Sequence, residues 1–329
     1  MYKRCYIELT SNCNLNCKHC LHVNGEQQYI LDYDILCSAI NYLYENGVRD
    51  IRLSGGEPLL YNKFEPLINH ISNLKNLTWE LITNATLIND EFLKIIKRSK
   101  NFSKLRISLD GATAKTHDFN RGIGTFKKIK KAFELIKKYR LNQKVVIQMV
   151  IAKYNYMEVD KFIKLAKYNN FDYNFLELLI RGNASKNSLM LKTNKDIEKS
   201  IKDQLKLKNI HFYDTCHIFC HLGQNDKDVN IYIDFEGKVY LCQKLREVNI
   251  PVGNIYSDKD VINQIKYNQF KKDLYEFQNN KKNCKNCYAI KYCGRGCYAD
   301  YLIGEEKYYD STSCDKRRSL ILNRLKNLG

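Results

Sequence analysis

Short apolar runs alternate with amphipathic stretches over the first two thirds of this 329-residue chain. Six of the runs are rich in Ile, Leu and Val, as strands buried on both faces tend to be. They cover residues 5–9, 50–53, 79–82, 105–109, 144–151 and 175–180. The pattern therefore predicts six buried strands.

Between these runs, apolar residues recur at the spacing of a helix with one buried face. The amphipathic stretches cover residues 32–46, 63–73, 90–98, 126–139 and 158–168. Gly47 follows the first stretch, where a helix stop is expected. Alternating strands and helices imply parallel strands joined by right-handed crossovers. Six units favour an α/β fold of the partial-barrel or doubly wound kind, because a closed barrel has eight.

Polar and glycine-rich residues collect just after the predicted strands. These segments are residues 11–20, 54–58, 83–84, 108–111 and 181–183. Barrels and open α/β sheets build their active sites at the carboxyl ends of their strands. The placement therefore favours an enzyme.

The pattern changes after a polar junction rich in Lys and Asn, at residues 184–208. Residues 230–234 and 238–242 flank Phe235-Glu236-Gly237 and predict a β-hairpin. A cysteine-dense region follows, from Cys284 to Cys314. We therefore expect two domains, residues 1–205 and 206–329.

Composition narrows the class of protein. The chain has neither an apolar run long enough to span a bilayer nor a signal-peptide pattern, which favours a cytoplasmic protein without membrane contact. In a reducing compartment, 13 cysteines favour metal binding or catalysis over disulfides. The formal charge of +18 would suit a nucleic-acid partner. Because Lys, Asn, Ile and Tyr are abundant together and no long basic block occurs, we favour simple compositional bias.

Two motifs suggest the chemistry. Cys13, Cys17 and Cys20 place three thiols within eight residues. They could hold three corners of an iron–sulfur cluster, or a zinc ion with His19 or His22 as the fourth ligand. The second motif is Gly55-Gly56-Glu57-Pro58. Its glycines allow a ligand to approach the backbone, and its carboxylate could bind an ammonium group. The same residues would also fit an ordinary glycine turn without a ligand.

Together these motifs resemble those of the radical S-adenosylmethionine (SAM) enzymes, which implies a partial (β/α)6 barrel. In that family three cysteines hold a [4Fe–4S] cluster whose fourth iron binds SAM, and reductive cleavage of SAM yields a 5′-deoxyadenosyl radical. The resemblance implies Cys13, Cys17 and Cys20 as the cluster ligands.

The same resemblance implies contacts to SAM. Gly55, Gly56 and Glu57 match the motif that holds the methionine ammonium, and His19 matches a position near the adenine. We add Asn84, which follows the third predicted strand.

The segment from Ser108 to Gly122 resembles the fourth-strand region of members that modify peptides and proteins. There a serine and an arginine contact the ribose or carboxylate of SAM, which implies Ser108 and Arg121. An arginine fork suits a carboxylate. Without the resemblance, we would take Arg121 for a surface charge.

The C-terminal cysteines and the hairpin motif Gly237-x4-Cys242 resemble the SPASM domain, which holds two auxiliary [4Fe–4S] clusters. The resemblance implies three clusters in all. The implied ligands are Cys216, Cys220, Cys242 and Cys297 for the first auxiliary cluster, and Cys284, Cys287, Cys293 and Cys314 for the second. Cys5 and Cys37 remain, as small buried hydrophobic residues. The short spacing between Cys216 and Cys220 leaves open whether both ligate.

The leading interpretation is a radical SAM maturase that oxidises a ribosomally made precursor peptide, for example to a thioether or carbon–carbon crosslink. It implies a flavodoxin- or ferredoxin-type reductant. Since the cluster motif starts at residue 13, a separate peptide-recognition protein is a further expected partner. The sequence assigns no catalytic base or hydrogen donor.

Two alternatives stay open. One is an anaerobic sulfatase-maturating enzyme, although Gln243 follows Cys242 where those enzymes carry an aspartate base. The other is a zinc-ribbon protein that binds nucleic acid. The ribbon would not account for the first 200 residues, so we do not expect nucleic acid as a partner.

Overall fold

The computed structural model describes most of the chain. The described residues are 2–22, 28–193, 197, 199–200, 203, 222, 229–257, 260–279, 284, 287–288, 297–302, 318 and 321–322. The chain forms two compact units. We call Met1–Ile7, Leu31–Ile51 and Asp214–Gly329 the hairpin unit, and Glu8–Ile30 and Arg52–Tyr213 the core unit. The predicted boundary at 205/206 falls outside the described residues and stays a prediction.

All six predicted strands are present, with ends that differ by up to three residues. The described strands are β1 (Tyr2–Glu8), β2 (Asp50–Ser54), β3 (Thr78–Thr83), β4 (Phe102–Ser108), β5 (Val145–Ile151), β6 (Asp172–Glu177), β7 (Val229–Ile233), β8 (Lys238–Tyr240) and β9 (Gly253–Asn254). The largest shift is at β6, where the apolar run to Ile180 continues beyond the paired strand.

The five predicted helices are present within one residue at each end. The described α-helices are α1 (Tyr33–Glu45), α2 (Phe64–Ser72), α3 (Asp90–Arg98), α4 (Ala114–Arg121), α5 (Thr125–Lys138), α6 (Val159–Asn169), α7 (Asn183–Lys186), α8 (Ser188–Leu191), α9 (Gln264–Asn279) and α10 (Tyr298–Leu302). No helix in the described part of the chain is both long and apolar enough to cross a bilayer.

The core unit is a parallel α/β structure. Strands β3, β4, β5 and β6 pair in that order, all parallel, with Ile107 of β4 opposite Ile147 of β5. Both residues are fully buried, as expected for strands covered on both faces. The C-terminal ends of these strands therefore meet at one edge, where the candidate site lies.

Helix α4 is the longest of the described core-unit helices that the hydrophobic pattern missed; α7 and α8 have four residues each. Its buried residues are His117, Asn120 and Arg121, so it shows no apolar stripe. Thr113 caps its N-terminus by accepting a hydrogen bond from the Thr116 N–H. A helix whose buried face is polar escapes a search for apolar periodicity.

The hairpin unit combines parallel and antiparallel pairing. Strand β1 runs parallel to β7, and β7 and β8 form the predicted antiparallel hairpin. The Asp234 carboxylate accepts from the N–H groups of Glu236 and Lys238, and Gly237 has a φ of 78°. The left-handed conformation of Gly237 closes the turn.

Candidate active site

The three N-terminal cysteines lie on the loop that follows β1, in the core unit. Cys17 is buried, and Cys13 and Cys20 are half-buried. Burial raises the pKa of all three thiols, and each thiol also feels the charge of another of the three, which shows that they lie close together. Among the described residues, no three His, Cys, Asp or Glu side chains are placed to hold a single metal ion.

The Gly55-Gly56 segment packs against the backbone that leads into the cysteine loop. The Gly56 N–H donates to the Thr10 carbonyl at 2.7 Å, and the Glu57 N–H donates to the Asn12 carbonyl at 2.8 Å. A Cβ on Gly56 would lie 2.3 Å from the Asn12 oxygen. Gly55 has a φ of 137°, and a Cβ there would lie 2.5 Å from the Thr10 oxygen. The close approach expected for a ligand is made here by the protein's own backbone.

Glu57 is fully buried and binds three protein donors. Its Oε1 accepts from the Thr83 hydroxyl at 2.7 Å and from the Leu59 N–H at 3.2 Å, and its Oε2 accepts from the Asn84 N–H at 2.8 Å. Burial raises the pKa of Glu57 to about 7, against the opposing effect of these donors. The carboxylate thus joins the glycine segment to the end of β3. Its predicted contact with a methionine ammonium stays a prediction.

Asn84 and Ser108 take up positions at the ends of β3 and β4. The Asn84 side-chain amide donates to Asn14 Oδ1 at 2.9 Å and lies 3.9 Å from Cys13 Sγ. Asn84 is therefore a neighbour of a predicted cluster ligand. Ser108 is half-buried and pairs with Gln148 of β5. Its predicted contact with SAM stays a prediction.

A buried ion pair lies beside the cysteine loop. Asp110 has no solvent exposure, and its Oδ2 accepts from Arg121 Nε at 2.5 Å and from Asn120 Nδ2 at 2.8 Å. Its Oδ1 accepts from the Val150 N–H at 3.0 Å. Burial is the largest influence and raises the pKa of Asp110, but the positive charge of Arg121, together with His19, His117 and the hydrogen bond from the Val150 N–H, lowers the pKa to about 2. Asp110 is therefore ionised at neutral pH.

The terminal nitrogens of Arg121 point towards the cysteine loop. One lies 3.9 Å from Cys17 Sγ, and the other lies 3.5 Å from His19 Nε2. Arg121 is only 8% exposed, so the view of it as a surface charge is wrong. His19 also contacts Asn120, and burial lowers its pKa, which leaves its ring neutral at pH 7. Its predicted place near the adenine stays a prediction.

Sequence reasoning assigned no role to Asp110, Asn120 or Glu8, and it considered His22 only as a possible zinc ligand. Glu8 ends β1 with 2% exposure, and its Oε1 lies 2.9 Å from His22 Nε2. A carboxylate at the end of an apolar run was the available signal for Glu8. Asp110 follows the predicted fourth strand in the same way, and parallel strands place such residues at the active-site edge.

The auxiliary cysteines are described in part. Cys242 directly precedes a 3₁₀ turn at Gln243–Arg246, and the Cys287 N–H donates to the Cys284 carbonyl at 3.2 Å. Cys297 directly precedes α10. The other four predicted ligands are outside the described residues: Cys216, Cys220, Cys293 and Cys314. The two auxiliary ligand sets therefore stay predictions.

Comparison with protein families agrees with both resemblances. Residues 7–166 match the family model of the radical SAM superfamily, and residues 225–288 match SPASM, an iron–sulfur cluster-binding domain. The chain is therefore an enzyme of the radical SAM superfamily that carries a SPASM domain.

Three curated relatives show how the similarity is distributed. Molybdenum cofactor biosynthesis protein 1 of Dictyostelium discoideum is 31% identical over 53% of this chain, which spans only 28% of that relative. Mycofactocin maturase MftC of Mycolicibacterium smegmatis is 26% identical, over 89% of this chain and 77% of the relative. The cysteine-type anaerobic sulfatase-maturating enzyme of Clostridium perfringens is also 26% identical, over 88% of this chain and 86% of the relative.

Solved structures support the fold. Streptococcus suis SuiB bound to S-adenosylmethionine superposes with a TM-score of 0.72 at 19% identity, over 91% of this chain and 74% of SuiB. SuiB bound to precursor peptide SuiA gives the same TM-score at 18% identity, over 91% of this chain and 72% of SuiB. At this identity the likeness shows a shared α/β fold.

The residues present fit an iron–sulfur cluster at the cysteine loop. Cys13, Cys17 and Cys20 supply three thiols, which suit iron, and Arg121 brings a buried positive charge that offsets thiolate charge. A carboxylate-binding fork of the same Arg121 would also suit SAM. That these three cysteines hold the radical-site cluster stays a prediction, which these contacts support.

Proposed function

We propose that the protein is a peptide maturase that oxidises a ribosomally made precursor peptide. The observation that carries the proposal is the convergence of three thiols, the Glu57 bridge and the Asp110–Arg121 pair at the active-site edge of one parallel sheet. When bound, a [4Fe–4S] cluster and SAM together supply a 5′-deoxyadenosyl radical that abstracts a hydrogen atom from the substrate.

The chain's own residues would bind and orient SAM around that cluster. We assign Arg121 and Ser108 to the carboxylate or ribose of SAM, and the Gly55-Gly56-Glu57 segment to its ammonium group. Asn84, beside Cys13, and His19, beside Arg121, would complete the wall of the site. We assign the C-terminal cysteines to two auxiliary [4Fe–4S] clusters.

The choice of a peptide substrate is supported by the relatives. Mycofactocin maturase aligns over most of both chains, and SuiB has been solved with a precursor peptide. We propose a thioether or carbon–carbon crosslink as the product, which removes two hydrogens from the peptide. The 5′-deoxyadenosyl radical would take one as a hydrogen atom, and the second would leave as a proton to solvent and an electron that an auxiliary cluster would accept. A flavodoxin- or ferredoxin-type protein would supply the electron for SAM cleavage, and a separate recognition protein could present the peptide.

Anaerobic reconstitution tests the proposal. The reconstituted chain should bind about twelve irons with matching sulfide, since each of three clusters holds four. With SAM and reductant it should form 5′-deoxyadenosine. Small peptides encoded beside the gene, added one at a time, should yield a product lighter by two hydrogens in mass spectrometry. Colourless protein that binds zinc and forms no 5′-deoxyadenosine would refute the proposal.

A sulfatase-maturating activity is the second candidate, because the enzyme of Clostridium perfringens aligns over 88% of this chain. Against it, Gln243 cannot accept a proton at neutral pH as an aspartate base would. The same assay with a cysteine-type sulfatase peptide decides between the two. Formylglycine in that peptide would favour the second candidate.

A further inference from the structure

We propose that Arg121 donates a hydrogen bond to the Cys17 thiolate and thereby raises the reduction potential of the radical-site cluster before SAM binds. This role is additional to any contact with SAM. It rests on the proposed function in one respect, namely that Cys13, Cys17 and Cys20 hold a cluster.

The geometry of Arg121 carries the inference. Its Nε donates a hydrogen bond to Asp110 Oδ2 at 2.5 Å, which fixes the plane of the guanidinium group. One terminal nitrogen then lies 3.9 Å from Cys17 Sγ, within the range of a hydrogen bond to sulfur. The other faces His19 at 3.5 Å. Asp110 is thus a positioning residue that aims Arg121 at a cluster ligand.

A second buried pair shows that this arrangement is not the default for an arginine in this fold. In the Glu80–Arg106 pair, Arg106 Nε donates to Glu80 Oε2 at 2.7 Å and a terminal nitrogen donates to Oε1 at 3.2 Å. That fork closes on one carboxylate. Arg121 instead gives Asp110 only its Nε and turns both terminal nitrogens towards the cysteine loop.

Electrostatics acts in the same direction. The guanidinium group of Arg121 is always charged at neutral pH, and it is buried with a terminal nitrogen 3.9 Å from Cys17 Sγ. A site with little solvent screens this charge weakly. Because reduction adds negative charge to a cluster, a nearby cation and a hydrogen bond to a ligand sulfur both make reduction easier.

The test is a redox titration of the full-length reconstituted chain without SAM, followed by electron paramagnetic resonance. The signal of the radical-site cluster is the part that a C13S/C17S/C20S variant lacks. We expect R121M to shift the midpoint potential of this signal to more negative values. R121K keeps the charge but not the fork, so it should shift the potential less.

Glu80→Gln is the matched control, because it weakens the other buried pair and should leave the potential unchanged. Iron content per chain is measured for each variant. If R121M binds no cluster, the midpoint potential of R121K decides the outcome instead. An unchanged potential in R121M and R121K, with weaker SAM binding, would show that Arg121 serves SAM alone and would overturn the inference. An equal shift in E80Q would overturn it too, as a general effect of lost stability.

This inference and the proposed function fail in different ways. A wild-type chain that binds no cluster at Cys13, Cys17 and Cys20 refutes the proposed function and this inference with it. A cluster that cleaves SAM, but whose potential does not respond to Arg121, refutes the inference alone.

Discussion

Two acid–arginine pairs with both side chains at most 10% exposed lie in the described part of the core unit, and they differ in what else the arginine touches. Asp110–Arg121 lies at the C-terminal edge of the strands, with its arginine against Cys17 and His19. Glu80–Arg106 lies within the sheet, where Glu80 also accepts from Arg52 at 3.0 Å. All four paired side chains are at most 10% exposed, so burial alone does not separate a functional pair from a structural one.

Sequence separation and register explain the difference. Glu80 and Arg106 lie on adjacent strands, close to their register partners, so their pairing ties β3 to β4. Arg121 and Cys17 are 104 residues apart, and the contact ties helix α4 to the cysteine loop. A buried charge is a candidate for function when it links separate loops at the active-site edge.

The largest effect should come from the cysteines. The C13S/C17S/C20S variant should form no 5′-deoxyadenosine and should lose about a third of its iron, because thiolates hold the radical-site cluster. Iron analysis and chromatography measure both. C37S changes one of the two cysteines outside the predicted ligand sets, so it is the control and should keep iron and activity. Full iron content in the triple variant would place the cluster elsewhere.

Breaking each buried pair tests the comparison directly. D110A and E80A each leave a buried arginine without its acid, which should cost about 3–5 kcal/mol in free energy of unfolding. Only D110A should also lose 5′-deoxyadenosine formation at a temperature where both variants are folded. Chemical denaturation gives the stability, and SAM cleavage gives the activity. Equal loss of activity in E80A would mean that the Glu80 pair also supports the site.

Gly56→Ala tests the backbone contact that holds the cysteine loop. The new Cβ would lie 2.3 Å from the Asn12 oxygen, so the loop before Cys13 must move. We expect a loss of about 1–3 kcal/mol in stability and a lower iron content. Gly124→Ala is the control, because nothing lies within 4 Å of its new Cβ, although its φ of 82° adds some strain. Normal iron content in G56A would show that the contact is dispensable.

The sequence predicted the first six strands and five of the helices, because buried parallel strands and amphipathic helices both leave strong periodic signals. It also located the cysteine loop and the glycine segment through their spacing. It could not show that Gly56 packs against Asn12, or that the Glu57 carboxylate accepts hydrogen bonds from Thr83 and Asn84. Such contacts depend on how loops from different strands meet.

Arg121 illustrates the limit most clearly. Its surroundings in the sequence are polar, so composition alone suggested a surface position. The structure buries it because Asp110, eleven residues earlier, supplies a counter-charge that makes burial tolerable. A buried apolar helix face leaves apolar residues at regular intervals in the sequence. A buried face of paired charges leaves no such regular pattern.

The smallest predicted effect is a pH dependence that only the Asp110–Arg121 pair should show. His117 is buried beside this pair, and its Nδ1 accepts from the Asp110 N–H at 3.1 Å. Burial, and secondarily the charge of Arg121, lowers the pKa of His117 to about 4. In the unfolded chain the pKa would be about 6.5, so the unfolded state binds the proton more readily. Stability is therefore present above pH 6.5 and is lost as the pH falls towards 4.

Between pH 7 and pH 5 this linkage should cost about 1–2 kcal/mol in free energy of unfolding, which denaturation at each pH would measure. His117→Asn keeps a hydrogen-bond acceptor but does not titrate, so its stability should fall less over the same interval. E80Q should keep the slope of the wild type, since Glu80 lies in the other pair. A wild-type slope in H117N would assign the pH dependence to other groups, and the two pairs would then differ in their contacts but not in their response to protons.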